Sequence, residues 1–254
     1  MKPTHKIALV TGGSRGLGKN MAIRLAEAGN DVIITYHTKK DEAEAVVTEI
    51  LEIGRKAVAL QLDVSDTKTF NAFFAEVSAT LTSKFGTSTF DFLVNNAGIG
   101  ATIPFDQVTE EQFDHMTNVH YKGVFFLTQK ALKLMADGGS IVNVSSGTTR
   151  YCVPGYHVYA AAKTAVESLT RYLAKDLGKR GITVNILAPG PIETDFNNAA
   201  IRNNPQMKGF LSASTALGRV GEADDIGGVV AALCSPAMRW VNGQRIEASG
   251  GINL

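Results

Sequence analysis

Two side chains suited to proton transfer, Tyr159 and Lys163, stand four positions apart in a stretch with a helical pattern. Residues at i and i+4 share one face of a helix, so the phenol and the ammonium should lie side by side. A tyrosine hydroxyl normally has a pKa of about 10. A neighbouring ammonium stabilises the phenolate and lowers that pKa. The pair therefore predicts a general acid that exchanges its proton near neutral pH.

Ser146 ends an apolar run thirteen residues before Tyr159. A hydroxyl at the carboxyl end of a buried strand can hold a carbonyl oxygen beside the phenol. Each of these residues also fits an ordinary structural role, because a Tyr–Lys pair is common on helix surfaces and a serine often caps a turn. Only their combination with a binding site for a second reactant favours catalysis.

A glycine-rich turn after the first apolar run, Val10–Gly18, predicts such a binding site. It carries glycines at positions 12, 16 and 18 and is followed by a helical pattern. The first glycine permits a tight turn, and the other two let the backbone approach a pyrophosphate and the helix pack on the sheet. Free N–H groups at the helix N-terminus then point at the phosphates. The turn indicates a dinucleotide.

The residues after the second apolar run indicate which nicotinamide cofactor is bound. Proteins that prefer NAD commonly place a carboxylate there for the ribose hydroxyls, but no acidic residue lies between the end of this run at Tyr36 and Asp41. Arg15, His37, Thr38 and the lysines at 39 and 40 favour a 2′-phosphate, which is a dianion. We therefore predict NADPH rather than NADH. The alternative is that these groups are solvated loop cations.

Short apolar runs alternate with helical patterns along the whole chain. The runs are Ile7–Thr11, Asp31–Tyr36, Ala57–Leu62, Phe90–Asn95, Ser140–Ser145, Ile182–Ala188 and Arg245–Ala248. The helical patterns are Leu17–Ala28, Asp41–Ile53, Thr67–Leu81, Glu110–Met135, His157–Leu177 and Ala223–Leu233. This alternation predicts an α/β fold, a single Rossmann-type, doubly wound parallel sheet of about seven strands with helices on both faces.

The polar, Asn-rich segment 195–218 fits neither pattern. It is either a substrate lid or a plain surface insertion.

Composition excludes several other classes of protein. The chain has 254 residues, of which 25 are glycine, and a net charge of +1. This length fits one domain, 1–254, and the near-zero net charge argues against nucleic-acid binding. No apolar run is long enough for a membrane helix, and Met1–Lys6 lacks a leader's apolar stretch. Cys152 and Cys234 are expected to be free thiols in a reducing, cytoplasmic compartment, and no Cys/His spacing predicts a metal.

Five motifs in a fixed order resemble the short-chain dehydrogenase/reductase family. They are the glycine turn, Asn95-Asn96-Ala97-Gly98, Ser146 followed by Tyr159 and Lys163, Asn118 in the preceding helix, and Pro189-Gly190 with Thr194. The resemblance extends from Lys6 to Gly251. It implies that a nicotinamide cofactor delivers hydride to a carbonyl carbon, while Tyr159 protonates the oxygen and Ser146 stabilises it.

The same resemblance assigns roles to single residues. Asn118 would kink its helix and hold a water that relays protons to Lys163, and Asn95 would pack on the cofactor or fix a strand end. Asp63 would contact the adenine or cap a helix. The predicted catalytic residues are Asn118, Ser146, Tyr159 and Lys163, and the predicted cofactor-binding residues are Gly12, Ser14, Arg15, Gly16, Leu17, Gly18, His37, Thr38, Asp63, Val64, Asn95, Ala97, Gly98, Tyr159, Lys163, Pro189, Gly190, Ile192 and Thr194.

The resemblance is strongest to 3-oxoacyl-[acyl-carrier-protein] reductases and their small-ketone relatives. Arg180 matches a basic position that those enzymes use to dock the acidic acyl carrier protein, whereas Asp137 lies where a second base is expected and should repel that partner. The substrate is thus either an acyl thioester on a carrier or a free ketone, aldehyde, quinone or secondary alcohol. A non-catalytic nucleotide-binding protein is the alternative of a different class.

Family members commonly form homotetramers through the two long helices, here 110–135 and 157–177, and the C-terminal strand. Trp240 and the apolar tail would suit that interface or pack within the subunit.

Overall fold

A computed structural model describes residues 5–254, so Met1–Thr4 of the N-terminal segment considered above lie outside the described residues. Seven parallel strands form one sheet in the order β3-β2-β1-β4-β5-β6-β7. The strands are β1 Ile7–Val10, β2 Asp31–Tyr36, β3 Ala57–Gln61, β4 Phe90–Asn95, β5 Met135–Val144, β6 Thr183–Pro189 and β7 Arg245–Ala248. The predicted doubly wound α/β fold is confirmed.

Helices cover both faces of the sheet. They are α1 Gly16–Glu27, α2 Lys40–Glu52, α3 Phe70–Thr80, α4 Glu110–Thr117, α5 Gly123–Ala131, α6 His157–Leu177, α7 Phe196–Ala199, α8 Pro205–Ala213 and α9 Asp224–Leu233. In β1, Leu9 packs with Phe70 of α3 on one face, and Val10 packs with Met21 of α1 on the other. Because both faces are buried, the strands are continuously apolar rather than alternating.

The predicted single helix 110–135 is wrong, because the structure divides it. Between α4 and α5, residues Asn118–Lys122 form a π turn in which the Gly123 N–H donates to the Asn118 carbonyl. A Cβ atom on Gly123 would overlap the Val64 carbonyl oxygen, so this point of the helix touches backbone. The second helix ends at Ala131, and Met135 instead opens β5, which begins five residues before the predicted strand.

The segment 195–218 contains two short elements of its own. Asn197, Asn198 and Ala199 have φ values of 52°, 57° and 55°, so α7 is a left-handed turn rather than a regular helix. Asn204 caps α8, since its side chain accepts a hydrogen bond from the Met207 N–H at 3.0 Å. The segment is therefore folded onto the domain and is not a structureless insertion.

Two surface features bear on assembly and location. Trp240 is 100 % exposed and Leu254 is 95 % exposed in the single chain, so packing within the subunit is wrong for these two residues, whereas Ile252 of the tail is buried within the subunit. No helix among residues 5–254 has the length and apolar character that crossing a membrane requires.

Candidate active site

The glycine turn forms a cradle of bare backbone at the carboxyl end of β1. Gly12 has a φ of 66°, which favours glycine. A Cβ atom on Gly18 would overlap the Gly12 carbonyl oxygen and lie 2.5 Å from Asn96 Nδ2. No side chain caps the N-terminus of α1, so the first N–H groups of the helix stay free. The cradle fits the pyrophosphate of a dinucleotide.

Asn96 holds this cradle in shape, and sequence reasoning did not single it out as a site residue. Its side-chain amide donates to the carbonyls of Thr11 at 2.9 Å and Gly12 at 3.2 Å. The Thr11 hydroxyl in return accepts the N–H groups of Asn96 and Ala97, both at 3.0 Å. The signal that could have identified Asn96 is the polar pair at the end of an otherwise apolar strand.

Asn95, the other member of that pair, points into the interior. Its amide donates to Asn143 Oδ1 at 2.7 Å and to Thr128 Oγ1 at 3.0 Å, and Asn143 donates to Thr170. The side chain therefore fixes the end of the strand, which is the second of the two predicted roles.

The residues predicted to surround the adenosine ribose lie on neighbouring loops. Arg15, His37 and Thr38 are exposed at the ends of β1 and β2. Asp63 follows β3, and its carboxylate lies 3.6 Å from His37 Nε2. It accepts hydrogen bonds from the Ser65 N–H at 2.8 Å and hydroxyl at 2.7 Å. Val64 is half-buried beside it. The structure thus brings these groups to one edge of the cradle.

The loop after β6 closes the opposite end of the cleft. The Gly190 N–H donates to the Ala248 carbonyl at 3.1 Å, and Ile192 pairs with Gly221. Thr194 is buried, and a Cβ atom on Gly16 would lie 3.8 Å from Thr194 Cβ. The predicted nicotinamide residues therefore lie against the glycine turn.

Tyr159 and Lys163 are both buried on α6, with 8 % and 4 % exposure. The Lys163 ammonium donates to the Val144 carbonyl at 2.7 Å and lies 5.7 Å from the centre of the Tyr159 ring. Ser146, at the end of β5, lies close enough to act on the Tyr159 hydroxyl. The structure therefore brings together three of the four predicted catalytic residues.

Burial dominates the acidity of the pair. It raises the pKa of Tyr159 to about 12, although the Ser146 side chain acts in the opposite direction. Burial also lowers the pKa of Lys163 to about 8. The ammonium lies 5.7 Å from the centre of the Tyr159 ring, and the expectation that it lowers the pKa of Tyr159 stays a prediction.

Comparison with known proteins decides the family. A family model of these enzymes, described as enoyl-(acyl carrier protein) reductase, matches residues 12–253. The chain is a short-chain dehydrogenase/reductase. The predicted class, an oxidoreductase, is thereby confirmed.

Three relatives illustrate the range of this family. The 3-oxoacyl-[acyl-carrier-protein] reductase FabG of Staphylococcus aureus (strain Mu50) is 39 % identical over 256 residues, all of both chains. A hydroxynaphthalene reductase-like protein of Metarhizium guizhouense is 39 % identical, covering 97 % of this chain and 94 % of the relative. The crystal structure of the angucycline C-6 ketoreductase LanV with bound NADP is 38 % identical with a TM-score of 0.93, covering 98 % and 95 %.

In this short-chain dehydrogenase/reductase, a network under Ser146 fixes the serine loop. Glu167 of α6 accepts hydrogen bonds from Ser145 Oγ at 2.6 Å, Thr149 Oγ1 at 2.8 Å and Arg245 Nε at 3.0 Å. Arg245 also donates to the Ser146 carbonyl at 3.3 Å. These partners are up to 99 residues apart, and no sequence signal connects them.

Asn118 opens the π turn that breaks its helix, as the resemblance implied, and its water relay to Lys163 stays a prediction. Its carbonyl accepts the Gly123 N–H in the π turn. His120, two residues later, packs its ring edge-to-face on Tyr159, with centroids 4.9 Å apart and planes at 83°. The imidazole is 1 % exposed. Sequence reasoning missed His120, because it stands among polar residues such as Asn118 and Lys122 and no spacing sets it apart.

The segment predicted as a lid lies next to Tyr159. The Phe196 ring lies 6.2 Å from the Tyr159 ring, and Asn197 Nδ2 donates to the Tyr156 hydroxyl at 3.1 Å. A Cβ atom on Gly100 would lie 2.7 Å from the Phe196 ring. Next to Tyr159 there is a small, mainly apolar cavity lined by Ala101, Ile103, Val108, Gln112, Met116, Gly155 and Val158. This enclosure suits an uncharged substrate.

Arg180 is not free to dock an acidic partner. Its Nε donates to Asp137 Oδ1 at 2.7 Å, and its two terminal nitrogens donate to the carbonyls of Leu132 at 3.1 Å and Met135 at 2.6 Å. Asp137 therefore neutralises Arg180.

Proposed function

We propose that the protein is an NADPH-dependent carbonyl reductase that acts on a free ketone carrying a flat ring system. The observation that carries the proposal is the buried Tyr159–Lys163 pair beside Ser146, at the open end of the glycine cradle. When bound, the nicotinamide cofactor supplies the hydride for the carbonyl carbon. All other roles in the reaction are carried out by side chains of this protein.

Tyr159 gives its hydroxyl proton to the oxygen on which negative charge develops. Ser146 donates a hydrogen bond to the same oxygen, and such a preorganised donor acts most strongly where water is excluded. Lys163, held by the Val144 carbonyl, binds the nicotinamide ribose and keeps a positive charge next to the phenol. The enclosure by Phe196 and Tyr156 excludes water from this group.

The preference for NADPH is supported by the charges around the ribose site. No carboxylate follows β2 before Asp41, and Arg15 is an exposed cation at the start of α1. A guanidinium forms bidentate hydrogen bonds with a phosphate but gains less from a ribose hydroxyl. The ratio of kcat/KM for NADPH and NADH tests this preference, and a higher value for NADH would refute it.

The free ketone is favoured over a carrier-bound thioester because Arg180 is already paired with Asp137. The rings of Tyr156 and Phe196 beside Tyr159 supply aromatic walls, which favour flat substrates. The hydroxynaphthalene reductase-like relative is named for a substrate of that shape. A second candidate, reduction of 3-oxoacyl groups on acyl carrier protein, is favoured by the full-length likeness to FabG.

One substrate panel separates the two candidates. The enzyme with NADPH is offered a bicyclic aryl ketone such as 2-tetralone, acetoacetyl-coenzyme A and acetoacetyl-carrier protein. We expect the highest kcat/KM for the bicyclic ketone. A clear preference for the carrier thioester over the free thioester would establish the second candidate.

Tyr159→Phe is the matched control for the chemistry. It should bind NADPH with unchanged affinity and lose turnover by at least about a hundredfold, the contribution expected of a general acid. Near-normal turnover would refute the role of Tyr159. Tight NADPH binding without any carbonyl reduction by the unmodified enzyme would revive the non-catalytic alternative.

We further propose a homotetramer in the cytoplasm. The exposed Trp240 and Leu254, together with Tyr172 on α6, provide apolar surface for subunit contacts, and two free cysteines fit a reducing compartment. Native mass spectrometry tests the assembly, and a monomer would contradict it.

A further inference from the structure

His120 is a buried polar side chain that the proposed reaction does not yet use. It lies in the π turn after α4 and packs edge-to-face against Tyr159. Its Nδ1 atom is buried and has no hydrogen-bond partner among the described residues. A buried ring nitrogen without a partner costs free energy, so a partner is expected.

The contacts of the other ring nitrogen identify the tautomer. Nε2 lies 2.8 Å from the Ile99 carbonyl oxygen and 3.4 Å from the Ile99 nitrogen. The shorter contact is with an atom that can only accept, so we assign the proton to Nε2. Burial, together with the positive charge of Lys163, lowers the pKa of His120 well below its ordinary value. The imidazole is therefore neutral, and Nδ1 is a bare acceptor.

The hydrogen-bond donor that could complement His120 is the Lys163 ammonium, which lies over the same Tyr159 ring. Lys163 has three N–H groups, and among the described residues only the Val144 carbonyl accepts one of them. Both His120 and the ammonium approach Tyr159, at 4.9 Å and 5.7 Å from its ring centre. Around this single side chain, one acceptor and two donors have no partner among the described residues, and the nicotinamide ribose would take one of the donors when the cofactor is bound.

The Gly98 backbone packs closely on the imidazole beside the unused acceptor. A Cβ atom on Gly98 would lie 3.4 Å from His120 Nδ1 and 2.8 Å from Cε1. Glycine is therefore the residue that lets the ring keep this position. Polar groups that are too far apart for direct contact are commonly joined by one ordered water.

We propose that one buried water joins His120 Nδ1 to the Lys163 ammonium, so that His120 rather than Asn118 is the fourth member of the catalytic group. His120 is a positioning residue, since it acts on the reacting oxygen only through Lys163 and Tyr159. The catalytic meaning of this bridge rests on the proposed function, but its existence does not. The titratable groups whose charges act on His120 are Lys163 and, more weakly, His115.

The first test is independent of activity. Nitrogen-15 NMR of the full chain with labelled histidine gives separate signals for the two ring nitrogens, and His120→Gln identifies those of His120. We expect a protonated Nε2 and an unprotonated, hydrogen-bonded Nδ1. In Lys163→Met, the Nδ1 signal should move to the position of an unbonded nitrogen, whereas Lys122→Met, on the exposed side of the same turn, should not move it.

Two results would overturn the bridge. One is a His120 signal with the proton on Nδ1, and the other is an Nδ1 signal that Lys163→Met leaves in place. Unchanged signals of the other labelled histidines show that each variant is folded. If no carbonyl is reduced, the proposed function fails, while the NMR result still decides the bridge.

The second test uses the pH profile of kcat/KM with NADPH and a ketone that the enzyme reduces. His120→Phe removes the acceptor and keeps the aromatic contact, so Lys163 should lose its proton at a pH lower by about one unit, the value of one hydrogen bond to a charged group. His120→Gln retains an acceptor and should restore part of that shift. A shift produced by Asn118→Ala and not by His120→Phe would assign the fourth position to Asn118.

Discussion

The Lys163 ammonium lies under the Tyr159 ring, 5.7 Å from its centre, and is held there by the Val144 carbonyl at 2.7 Å. It does not contact the hydroxyl. Burial lowers the pKa of Lys163 to about 8 and raises that of Tyr159 to about 12. At neutral pH the site therefore contains a cation beside a neutral phenol, which is the protonation state required to donate a proton to a developing alkoxide.

The first prediction is an alkaline limb in ketone reduction. Because Lys163 has a pKa of about 8, kcat/KM should decrease as the pH rises past about 8, since the ammonium that assists proton donation is lost. Lys163→Arg keeps its charge to much higher pH and should remove this limb, even if the overall rate falls. Lys122→Arg is the matched control and should retain it. A rate that rises through this range would contradict the assignment.

The second prediction concerns the stability cost of the buried ammonium. The pKa of Lys163 falls from 10.5 to about 8 on folding, so the native state binds fewer protons and stability increases as the pH rises through this interval. At pH 7 the buried charge therefore opposes folding, by about 3 kcal/mol. Lys163→Met removes that penalty but leaves the Val144 carbonyl without its donor, which costs about 1–3 kcal/mol.

Lys163→Met should therefore increase the free energy of unfolding at pH 7 by about 1 kcal/mol while it reduces turnover. Urea unfolding at pH 7 and at pH 10 measures both the gain and its dependence on pH. The gain should be smaller at pH 10, where Lys163 of the unmodified native protein has lost almost all of its charge. An equal or larger gain at pH 10 would show that the ammonium is not the cause.

The parts of this site that sequence could predict are those encoded within one local pattern. The glycine turn, the i,i+4 pair and Ser146 each follow from residue types at short spacing, and buried parallel strands place them at one edge of the sheet. His120 and the network of Glu167 with Arg245 depend on contacts between distant segments. The π turn could not be predicted from the sequence either, because α4 and α5 together keep a helical pattern. The break becomes evident only in the structure, where Gly123 contacts the Val64 carbonyl.

The third prediction tests the phosphate site. Arg15→Ala should reduce kcat/KM for NADPH by about tenfold, the value of a charge-assisted hydrogen bond, and should change that for NADH much less. Arg171→Ala removes an exposed arginine from the middle of α6 and serves as the matched control. If both cofactors were affected equally by Arg15→Ala, the guanidinium would bind the pyrophosphate rather than the 2′-phosphate.

The last prediction compares two adjacent glycines of α9. A Cβ atom on Gly227 would overlap Asn20 Oδ1 of α1 and lie 2.9 Å from the Asn20 carbonyl oxygen, whereas nothing lies within 4 Å of one on Gly228. Gly228→Ala should stabilise the protein by about 0.5–1 kcal/mol, because alanine is the better helix former. Gly227→Ala should destabilise it by about 1–3 kcal/mol, since α9 must move away from α1.

The same pair of variants connects packing to binding. The N-terminus of α1 supplies the free N–H groups of the phosphate cradle, so a displaced α1 should also raise the Kd for NADPH in Gly227→Ala and leave it unchanged in Gly228→Ala. Chemical unfolding and NADPH fluorescence titration measure the two effects on the same samples. If Gly227→Ala loses stability but keeps its affinity, α9 supports the fold without positioning the cradle. If it is as stable as Gly228→Ala, the two helices are not in backbone contact at Asn20.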